Sequence, residues 1–388
     1  MVSDVYYATM RCKGPNETLV HKLRRLFDGS AVAQTISKGD LVAVKVHLGT
    51  GGNQRHVRPQ HVRVIVEKIK DAGGKPFVTD TTGIGLTGEN GTAESMLRNA
   101  AARGFVQETV GAPIIVADAP KGLHGVKVRV DGLRLKEVTL AAAIVECDSL
   151  ISVAHAKGHP RTGIAASLKN LGVGCVTKCG KAPIHLAKKP SVDLAKCNDC
   201  GVCISFCPVG AIVRANGHPQ ILQDQCVWGC GCWTVCPTEA ITKWNDMTHP
   251  SNEEMILREI DAVKATIDQL GSDKCGFFNL AYDVTPHCDC APYGDVPMVP
   301  DVGIFVSKDP VACDMATADA IINSPGIPGS AAEELNVMTR GSDKFSALTE
   351  WSPFSDFKRQ GGTKHWRSQF DAASRLGIGS PEYRVIEL

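Results

Sequence analysis

The chain of 388 residues carries almost no net charge, because 42 basic side chains are balanced by 41 acidic ones, which leaves a formal charge of +1. This balance argues against a surface dominated by one sign, which proteins that bind nucleic acid or anionic membranes present. The sequence also lacks any apolar run near the roughly 20 residues that a membrane-spanning helix needs. We therefore expect neither nucleic acid nor a membrane among the partners.

A secretion signal is also missing from the first residues, MVSDVYYATMRCKG, which have no basic segment followed by an apolar one. Aromatic residues are scarce at 5%, whereas 43% hydrophobic and 21% charged residues are typical of a globular protein. Sixteen cysteines without a secretion signal favour metal ligands over disulfides. We expect a protein of two or three domains in the reducing cytoplasm.

Eight of the cysteines form a repeat. The first copy, CNDCGVCISFCP (197–208), has the spacing C-x2-C-x2-C-x3-C-P of bacterial ferredoxins. The second copy, CVWGCGCWTVCP (226–237), keeps three of the four positions, but Gly229 stands where the second cysteine is expected and the thiol has moved to Cys230. Similarity continues past the cysteines, since CPVGAI matches CPTEAI. The repeat predicts a ferredoxin-like module with two [4Fe-4S] clusters.

In ferredoxins of this type the fourth cysteine of each run binds the other cluster. The spacing therefore assigns four thiolates to each cluster. The first cluster is assigned Cys197, Cys200, Cys203 and Cys236. The second cluster is assigned Cys207, Cys226, Cys230 and Cys232. A zinc-binding module is the alternative, although zinc sites rarely need eight thiolates in a duplicated order.

The displaced Cys230 lies between Gly229 and Gly231, and glycine tolerates the backbone conformations that a distorted loop demands. The thiol can then still reach the fourth iron, which predicts eight irons and eight sulfides per chain. Alternatively Cys230 misses, which leaves a three-iron cluster or a four-iron cluster with one open iron.

Outside the repeat, strand-like and helix-like segments alternate, which predicts an α/β fold with a mainly parallel sheet covered by helices. The predicted strands are LVAVKVH (41–47), KPFVTD (75–80), APIIVAD (112–118), the start of SLISVAHAKGH (149–159), CGFFNLAYDV (275–284) and VGIFVSKDP (302–310). The predicted helices include RPQHVRVIVEKIKDAGG (58–74), TAESMLRNAAARG (92–104), SNEEMILREIDAVKATIDQLG (251–271) and VACDMATADAIIN (311–323).

The cysteine repeat interrupts this alternation. We predict a first half of the α/β domain at 1–190, a double-cluster insert at 191–246, and a second half with a C-terminal tail at 247–388. The tail after about residue 325 is rich in Gly, Ser and Pro and carries the weakest pattern.

Several predicted strands end in polar residues that can bind or react. They are Lys45, His47, Asp80, Asp118, His155, Lys157 and His159. Because ligands bind outside the carboxyl ends of parallel strands, these positions predict a pocket for a small molecule. Solvated strand ends and helix caps are the alternative. The catalytic candidates are His47, His155 and His159 for moving protons and Lys45, Lys157 and Lys169 for holding an anionic group.

A glycine-rich segment, GIGLTG, follows Asp80 and matches G-x-G-x-x-G at Gly83, Gly85 and Gly88. A dinucleotide fingerprint should open the next helix directly, whereas residues 89–91 intervene here. This difference favours a general phosphate or small-ligand loop over nicotinamide binding. The candidate cofactor-binding residues are Asp80, Gly83, Gly85, Gly88 and Asp118.

Further cysteines lie outside the repeat, in GCVTKCGKAPIH and in DVTPHCDC. The first segment offers Cys175 and His185, and the second offers Cys288 and Cys290. Such groups can bind an additional metal, act as a redox pair or simply pack.

Four separated motifs occur in the order found in one family, domain of unknown function 362, whose members are often called uncharacterised iron–sulfur centre proteins. The motifs are HAKGHPRTGIAASLKNLGVGC (155–175), the cysteine repeat, DVTPHCDC (283–290) and VPDVGIFVSKDPVACDMATAD (299–319). The chain resembles this family over most of residues 40–320. The resemblance implies an inserted two-cluster ferredoxin domain and no particular activity. The departure is Cys230, since the family pattern has the cysteine one position earlier.

A shorter segment, HPRTGIAASLKNLGVG, is similar to a region of the nickel-dependent lactate racemase family. The similarity makes Lys169 the counterpart of the lysine that carries the nickel-pincer cofactor there. GIAAS departs from that family's glycine pair, so the similarity implies fold and pocket position, not racemase chemistry.

These features favour an iron–sulfur oxidoreductase that relays electrons between a redox partner protein and the pocket, where a further metal or an organic cofactor can also bind. The partner is expected to be a ferredoxin-like carrier or a larger enzyme. One alternative is a non-catalytic accessory for electron transfer or cofactor maturation. Another is a metal-dependent isomerase or transferase in which the clusters are structural.

Overall fold

The computed structural model describes residues 2–244, 247–350 and 366–388. Its strands are β1 Ser3–Thr9, β2 Leu41–Val46, β3 Lys75–Asp80, β4 Ile114–Val116, β5 Gly125–Arg129, β6 Glu137–Ala141, β7 Ser149–His155, β8 Lys157–His159, β9 Gly163–Ala165, β10 Ile212–Ala215, β11 His218–Ile221, β12 Cys275–Ala281, β13 Gly303–Ser307 and β14 Tyr383–Glu387.

The α-helices are α1 Leu19–Gly29, α2 Pro59–Asp71, α3 Ala93–Ala102, α4 Gln107–Val110, α5 Ala142–Val145, α6 Ser167–Gly172, α7 Lys178–His185, α8 Val202–Phe206, α9 Asn252–Leu270, α10 Pro310–Ile322, α11 Ala331–Glu334, α12 Lys344–Glu350 and α13 Ser368–Arg375. Short 3-10 turns include Pro15–Glu17, Ala31–Thr35, Cys232–Val235 and Ser272–Lys274. In the part of the chain that the structure describes, no helix has the length and apolar content needed to cross a bilayer.

Eight strands form the central sheet in the order β14-β1-β13-β12-β7-β2-β3-β4. Only the two pairings of β13, with β1 and with β12, are antiparallel, and the other five pairings in this sheet are parallel. The prediction of an α/β protein with a mainly parallel sheet is confirmed. The carboxyl ends of β7, β2 and β3 therefore meet at one edge.

Hydrophobic layers cover both faces of the sheet, which explains why its central strands are nearly continuous apolar runs. Every residue of β7 and β12 is buried. Helices α1 and α2 supply one layer, and α6, α9, α10 and α13 supply the other. Each fully buried Leu, Ile, Val or Phe in these layers stabilises the fold by about 1.5–3 kcal/mol.

The helix ends follow the sequence signals. Helix α9 begins where Ser251 Oγ accepts a 3.1 Å hydrogen bond from the Glu254 amide, and it ends at Gly271 with φ of 94°. Helix α10 begins where Asp309 accepts hydrogen bonds from the amides of Val311 and Ala312. The helices predicted from periodicity in these regions are confirmed.

The segment 149–159 differs from a simple strand. Strand β7 ends at His155, and after Ala156 the chain enters β8, which pairs with β9 in a separate two-stranded ribbon. Consequently His155 belongs to the central sheet, whereas Lys157 and His159 belong to the ribbon.

The cysteine repeat surrounds a hydrophobic cluster of its own, which includes Ile212, Ile221, Trp233 and Ile241. The hairpin of β10 and β11 and helix α8 lie within the repeat. The boundaries at 190/191 and 246/247 stay a prediction.

Candidate functional site

A cavity of about 610 Å³ lies at the carboxyl ends of β2, β3 and β7, and we call it the main cavity. Most of the residues that the sequence singled out line it. They are Lys45, His47, Asp80, Gly83, Gly88, His155, Lys157, His159, Lys169, His185, Cys288 and Cys290. Gly85, Asp118 and Cys175 lie outside its lining.

Lys45 and Asp80 form a buried ion pair at the sheet edge. Lys45 Nζ lies 2.9 Å from Asp80 Oδ1 and donates a 2.8 Å hydrogen bond to Asn170 Oδ1. Burial alone would raise the pKa of Asp80, but Lys45, His47 and Lys181 outweigh it and hold that pKa below its ordinary value. Lys45 thus pairs with a carboxylate of the protein itself, and not with a carboxylate of a ligand as considered from the sequence.

His155 is held by acceptors on both ring nitrogens. Nδ1 lies 2.8 Å from Asp289 Oδ1, and Nε2 lies 2.8 Å from the carbonyl oxygen of Tyr282. The other Asp289 oxygen lies 3.3 Å from Lys157 Nζ. Burial would raise the pKa of Asp289, but His155 and Lys157 outweigh it and hold that pKa far below its ordinary value.

A carbonyl and an ionised carboxylate only accept hydrogen bonds, so both ring nitrogens of His155 are already paired with acceptors of the protein. Neither nitrogen is left to act as a free base. This arrangement assigns His155 a positioning role in place of the proton transfer considered from sequence.

His159 and His185 are neutral and have opposite tautomers. His159 Nδ1 accepts from the amides of Arg161 and Thr162 at 3.2 and 3.1 Å, so its proton is on Nε2. His185 Nδ1 donates to the Lys181 carbonyl oxygen at 2.9 Å, which leaves Nε2 as an acceptor. Burial lowers the pKa of His159 well below its ordinary value and that of His185 to about 3. Toward a ligand, one ring can donate and the other can accept.

Lys169, on helix α6, lies near both histidines, and its charge contributes to lowering their pKa values. Its Nζ lies 2.9 Å from Oε2 of the buried Glu259. The start of α6 is fixed by Asp314, which accepts 2.9 Å hydrogen bonds from the amides of Ser167 and Leu168. Asp314 therefore positions the helix that carries Lys169.

Sequence reasoning missed Lys181, which lines the main cavity from helix α7. Its Nζ donates to Thr81 Oγ1 at 2.6 Å, and burial lowers its pKa although Asp118 and Asp80 oppose the shift. The available signal was spacing, since Lys181 stands four residues before His185 and so shares a helix face with it.

Cys288 and Cys290 bring two thiols to the main cavity. The neighbouring Cys290 thiol, with the nearby Lys157 and His47, lowers the pKa of Cys288 well below its ordinary value. Cys288 and burial raise the pKa of Cys290 well above its ordinary value. Cys288 is buried and Cys290 is exposed.

The glycine loop 83–91 does not open a helix, because α3 begins only at Ala93. Its amides are engaged by protein carbonyls: Gly85 donates to Gly229 at 2.8 Å and Leu86 donates to Cys230 at 3.0 Å. These amides are therefore not presented to a phosphate group. The loop instead connects the main cavity to the cysteine repeat.

Asp118 and Cys175, the two other candidates outside the lining, are surrounded by groups that give them structural roles. Asp118 is buried and accepts hydrogen bonds from the Thr82 amide and hydroxyl, both at 2.9 Å, and burial raises its pKa. Cys175 is fully buried in the hydrophobic core, where burial raises the pKa of its thiol to about 12.

Two smaller cavities lie within the cysteine repeat, and each is lined by four thiols. The first, which we call the Cys197 cavity, is lined by Cys197, Cys200, Cys203 and Cys236. The second, which we call the Cys230 cavity, is lined by Cys207, Cys226, Cys230 and Cys232. These are the sets that the spacing predicts. Four thiols around one cavity fit the donor set of a four-iron cluster, and ligation itself stays a prediction.

In each copy of the repeat, a backbone amide donates a hydrogen bond to the fourth cysteine, the one assigned to the other copy's cluster. Ala211 donates to Cys207 Sγ, and Ala240 donates to Cys236 Sγ, each at 3.2 Å. Such N–H to sulfur bonds stabilise thiolates and tune cluster potentials. Among the described residues, no three His, Cys, Asp or Glu side chains are arranged to hold a single metal ion.

The Cys230 cavity adjoins the main cavity across the glycine loop. Ile84 of that loop lines the main cavity and packs against the hydrophobic cluster of the repeat. Trp233 lines the Cys230 cavity, and its ring centroid lies 6.2 Å from that of Trp244, which lines the main cavity. Loop 83–91 and the two tryptophans thus connect the lining of the main cavity with that of the Cys230 cavity.

The chain was compared with models of known protein families. A family model described as "Domain of unknown function (DUF362)" matches residues 42–319, so the chain belongs to this family and the resemblance seen in the sequence is confirmed.

Several curated proteins are similar over parts of the chain. A thylakoid-associated protein, sll1697 of Synechocystis, is 26% identical over 175 residues, 44% of this chain and 50% of the relative. An iron-sulfur protein of Rhodospirillum rubrum is 35% identical over 105 residues, 25% and 47% of the two chains. The pyruvate synthase subunit PorD of Methanocaldococcus jannaschii is 43% identical over 56 residues, 14% and 65%. The chain thus spans about half the length of the first two relatives.

Among solved structures, the lactate racemase apoprotein from Thermoanaerobacterium thermosaccharolyticum aligns with a TM-score of 0.40 and 11% sequence identity. The alignment covers 99% of this chain and 82% of that one.

Proposed function

We propose that the protein is an iron–sulfur oxidoreductase in which two [4Fe-4S] clusters relay electrons between a redox partner protein and a small molecule in the main cavity. The observation that carries the proposal is the direct contact between the linings of the Cys230 cavity and the main cavity, through loop 83–91 and the two tryptophans. Similarity to an iron-sulfur protein and to a subunit of pyruvate synthase supports iron–sulfur electron transfer in general.

The cysteines of the Cys197 cavity would hold one cluster, and those of the Cys230 cavity the other. When bound, such clusters supply one electron at a time. Cys200 of the Cys197 cavity is exposed, whereas the four cysteines that line the Cys230 cavity are buried or half-buried. The Cys197 cavity is therefore the side that faces a partner, and the Cys230 cavity is the side that faces the ligand.

Exposed apolar side chains around the repeat support a protein partner. Leu194 and Val202 are 55% and 42% exposed. Val202 is on helix α8, directly before Cys203 of the first set. Apolar side chains beside a solvent-facing cluster suit brief docking of an electron carrier.

Inside the main cavity, the neutral His159 and His185 are the groups suited to proton transfer. His159 can donate from Nε2 and His185 can accept at Nε2, so together they can hold a ligand that has both an acceptor and a donor. Lys169 Nζ is paired with Glu259, but an ammonium has three N–H donors, so it can still donate to an anionic group such as a carboxylate on the ligand.

The proposal is tested by purifying the protein without oxygen and analysing its acid-released small molecules by mass spectrometry. We expect a compound that is retained by the wild type and reoxidises the reduced clusters. Lys169→Met and His47→Ala should reduce its retention at least tenfold at unchanged iron content. Lys127→Met, which removes one member of an exposed ion pair with Glu137, is the control and should retain the compound. Equal retention by all variants, or the absence of any compound that reoxidises the clusters, would count against the proposal.

A further inference from the structure

Two cysteines one residue apart face the main cavity although the cluster assignments use neither of them. Cys288 is 5% exposed, and Cys290 is exposed beside it. Both line the cavity together with Lys157 and His47. Only Asp289 separates them in the chain, and the turn that carries them places both beside the same cavity. This arrangement differs from that of Cys313, which is fully buried in the hydrophobic core with backbone carbonyls as its partners.

The single residue between the two cysteines is anchored by contacts with the rest of the site. Asp289, the residue between them, is buried and lies 2.8 Å from His155 Nδ1 and 3.3 Å from Lys157 Nζ. The Ala291 amide donates a 2.9 Å hydrogen bond to the Cys288 carbonyl oxygen, which closes a tight turn around the pair. An ion network and a turn thus keep the two sulfurs adjacent at the cavity.

We propose that Cys288 and Cys290 form a reversible disulfide that stores two electrons at the main cavity. This inference rests on the proposed function, because the clusters are the one-electron donors and acceptors that serve it. It adds a single two-electron carrier beside the ligand, which one-electron clusters do not provide.

The reaction balances as follows. In the oxidised state one S–S bond joins Cys288 and Cys290. Two electrons arrive one at a time from the reduced clusters, two protons are taken up, the S–S bond breaks and two thiols result. In the reverse direction two S–H bonds break, the S–S bond forms, and two protons and two electrons leave.

The surroundings favour this chemistry. Lys157 lies beside Cys288 in the cavity lining, and a cation next to a thiol promotes the thiolate that forms and breaks disulfides. A disulfide that spans a single residue closes a small ring, and strained or accessible disulfides are the ones that are reduced readily. The pair is therefore suited to cycling, whereas a structural disulfide would resist it.

The first experiment equilibrates the iron-loaded protein, without oxygen, in a series of reduced to oxidised dithiothreitol ratios. Free thiols are trapped with acid and N-ethylmaleimide and located by peptide mass spectrometry. We expect labelling of Cys288 and Cys290 to disappear together in one two-electron transition, with the loss of two hydrogens from their peptide. The exposed Cys12 should stay labelled at every ratio.

Variants provide the control for folding. Cys288→Ser and Cys290→Ser should each leave the remaining thiol labelled at every ratio, with iron and sulfide contents equal to wild type. The inference is overturned if the wild-type peptide stays labelled at all ratios. It is also overturned if the wild type contains a non-iron metal that either variant loses, since the pair would then be a metal site.

A second measurement separates this inference from the proposed function. The clusters of the disulfide form are photoreduced with a deazaflavin, and the thiols are counted with time. Reduction of both cysteines supports both proposals. If dithiothreitol reduces the disulfide but the reduced clusters do not, the redox pair stands and the relay fails. If no disulfide forms while a cavity ligand still reoxidises the clusters, the relay stands and the redox pair fails.

Discussion

The amide of Leu86 donates a 3.0 Å hydrogen bond to the carbonyl oxygen of Cys230. Leu86 belongs to the glycine loop that walls the main cavity, and Cys230 is the cysteine that has moved by one position in the repeat. The neighbouring bond from Gly85 to Gly229 doubles the contact. The altered spacing therefore occurs where the cysteine repeat meets the cavity, which connects the unusual motif with the pocket.

A substitution at Gly231 should separate these two loops. A Cβ at Gly231 would lie 2.7 Å from the Gly85 Cα, and the residue has φ of 80°. Gly217 has φ of 85° with no atom within 4 Å of a Cβ, so it is a matched control for backbone strain. We expect Gly231→Ala to cost about 1–3 kcal/mol more than Gly217→Ala, in the range of overpacking, and to alter the paramagnetic spectrum of one cluster. Urea unfolding and electron paramagnetic resonance check this, and equal effects of the two variants would argue against the loop contact.

Removing the displaced thiol should change one cluster only. Wild-type protein prepared without oxygen should contain eight irons and eight sulfides per chain. Cys230→Ala should lose about one iron and give the paramagnetic signal of a three-iron cluster. Cys179→Ser, at a thiol near Cys230 that does not line the Cys230 cavity, should keep the full content. A three-iron signal in the wild type would show that Cys230 does not bind iron.

Asp289 should be among the most important polar residues for stability. It is buried between His155 and Lys157, so Asp289→Asn leaves the Lys157 cation and the His155 ring without their carboxylate partner. Breaking a buried ion network costs about 3–5 kcal/mol. Asp268→Asn removes an exposed helix pair with Lys264 and should cost about 0.3–0.5 kcal/mol. The difference in free energy of unfolding is measured in urea, and similar losses for both variants would be the contrary result.

Asp314 should make stability depend on pH near neutrality. Burial raises its pKa to about 7, although hydrogen bonds from Asn279 and from the amides of Leu168 and Ser167 oppose the shift. The folded state then binds the proton more tightly than the unfolded state, so this group makes the protein more stable as pH falls from 8 to 5. In Asp314→Asn that contribution should be absent. Unfolding free energies at several pH values test this, and an unchanged pH slope in the variant would contradict it.

The parts of the fold that follow from local patterns were predictable. Apolar runs such as 41–46 and 275–281 and the capped helix after Ser251 specify their structure within a few residues. The edge pairing of β1 with β14 was not predictable, because it joins residues at opposite ends of the chain and neither strand is a continuous buried run.

The composition of the main cavity was largely predictable, whereas the states of its residues were not. Residues at the ends of parallel strands, such as His47 and Asp80, converge because strand ends share one edge of the sheet. The hydrogen bonds of His159 and His155 are made to the Arg161 amide and to Asp289, and it is the folded chain that brings the His155 partner close. The same holds for the contact between Leu86 and Cys230.

In the proposed function, electrons pass from the clusters to a ligand in the main cavity. The most direct measurement is stopped-flow absorbance of reduced protein mixed, without oxygen, with the compound released from the wild type. We predict cluster reoxidation that is at least tenfold slower in Lys169→Met and in Gly231→Ala than in Lys127→Met, at equal iron content. Equal rates in all three proteins would contradict the account, because the clusters would then be exchanging electrons with the compound outside the cavity.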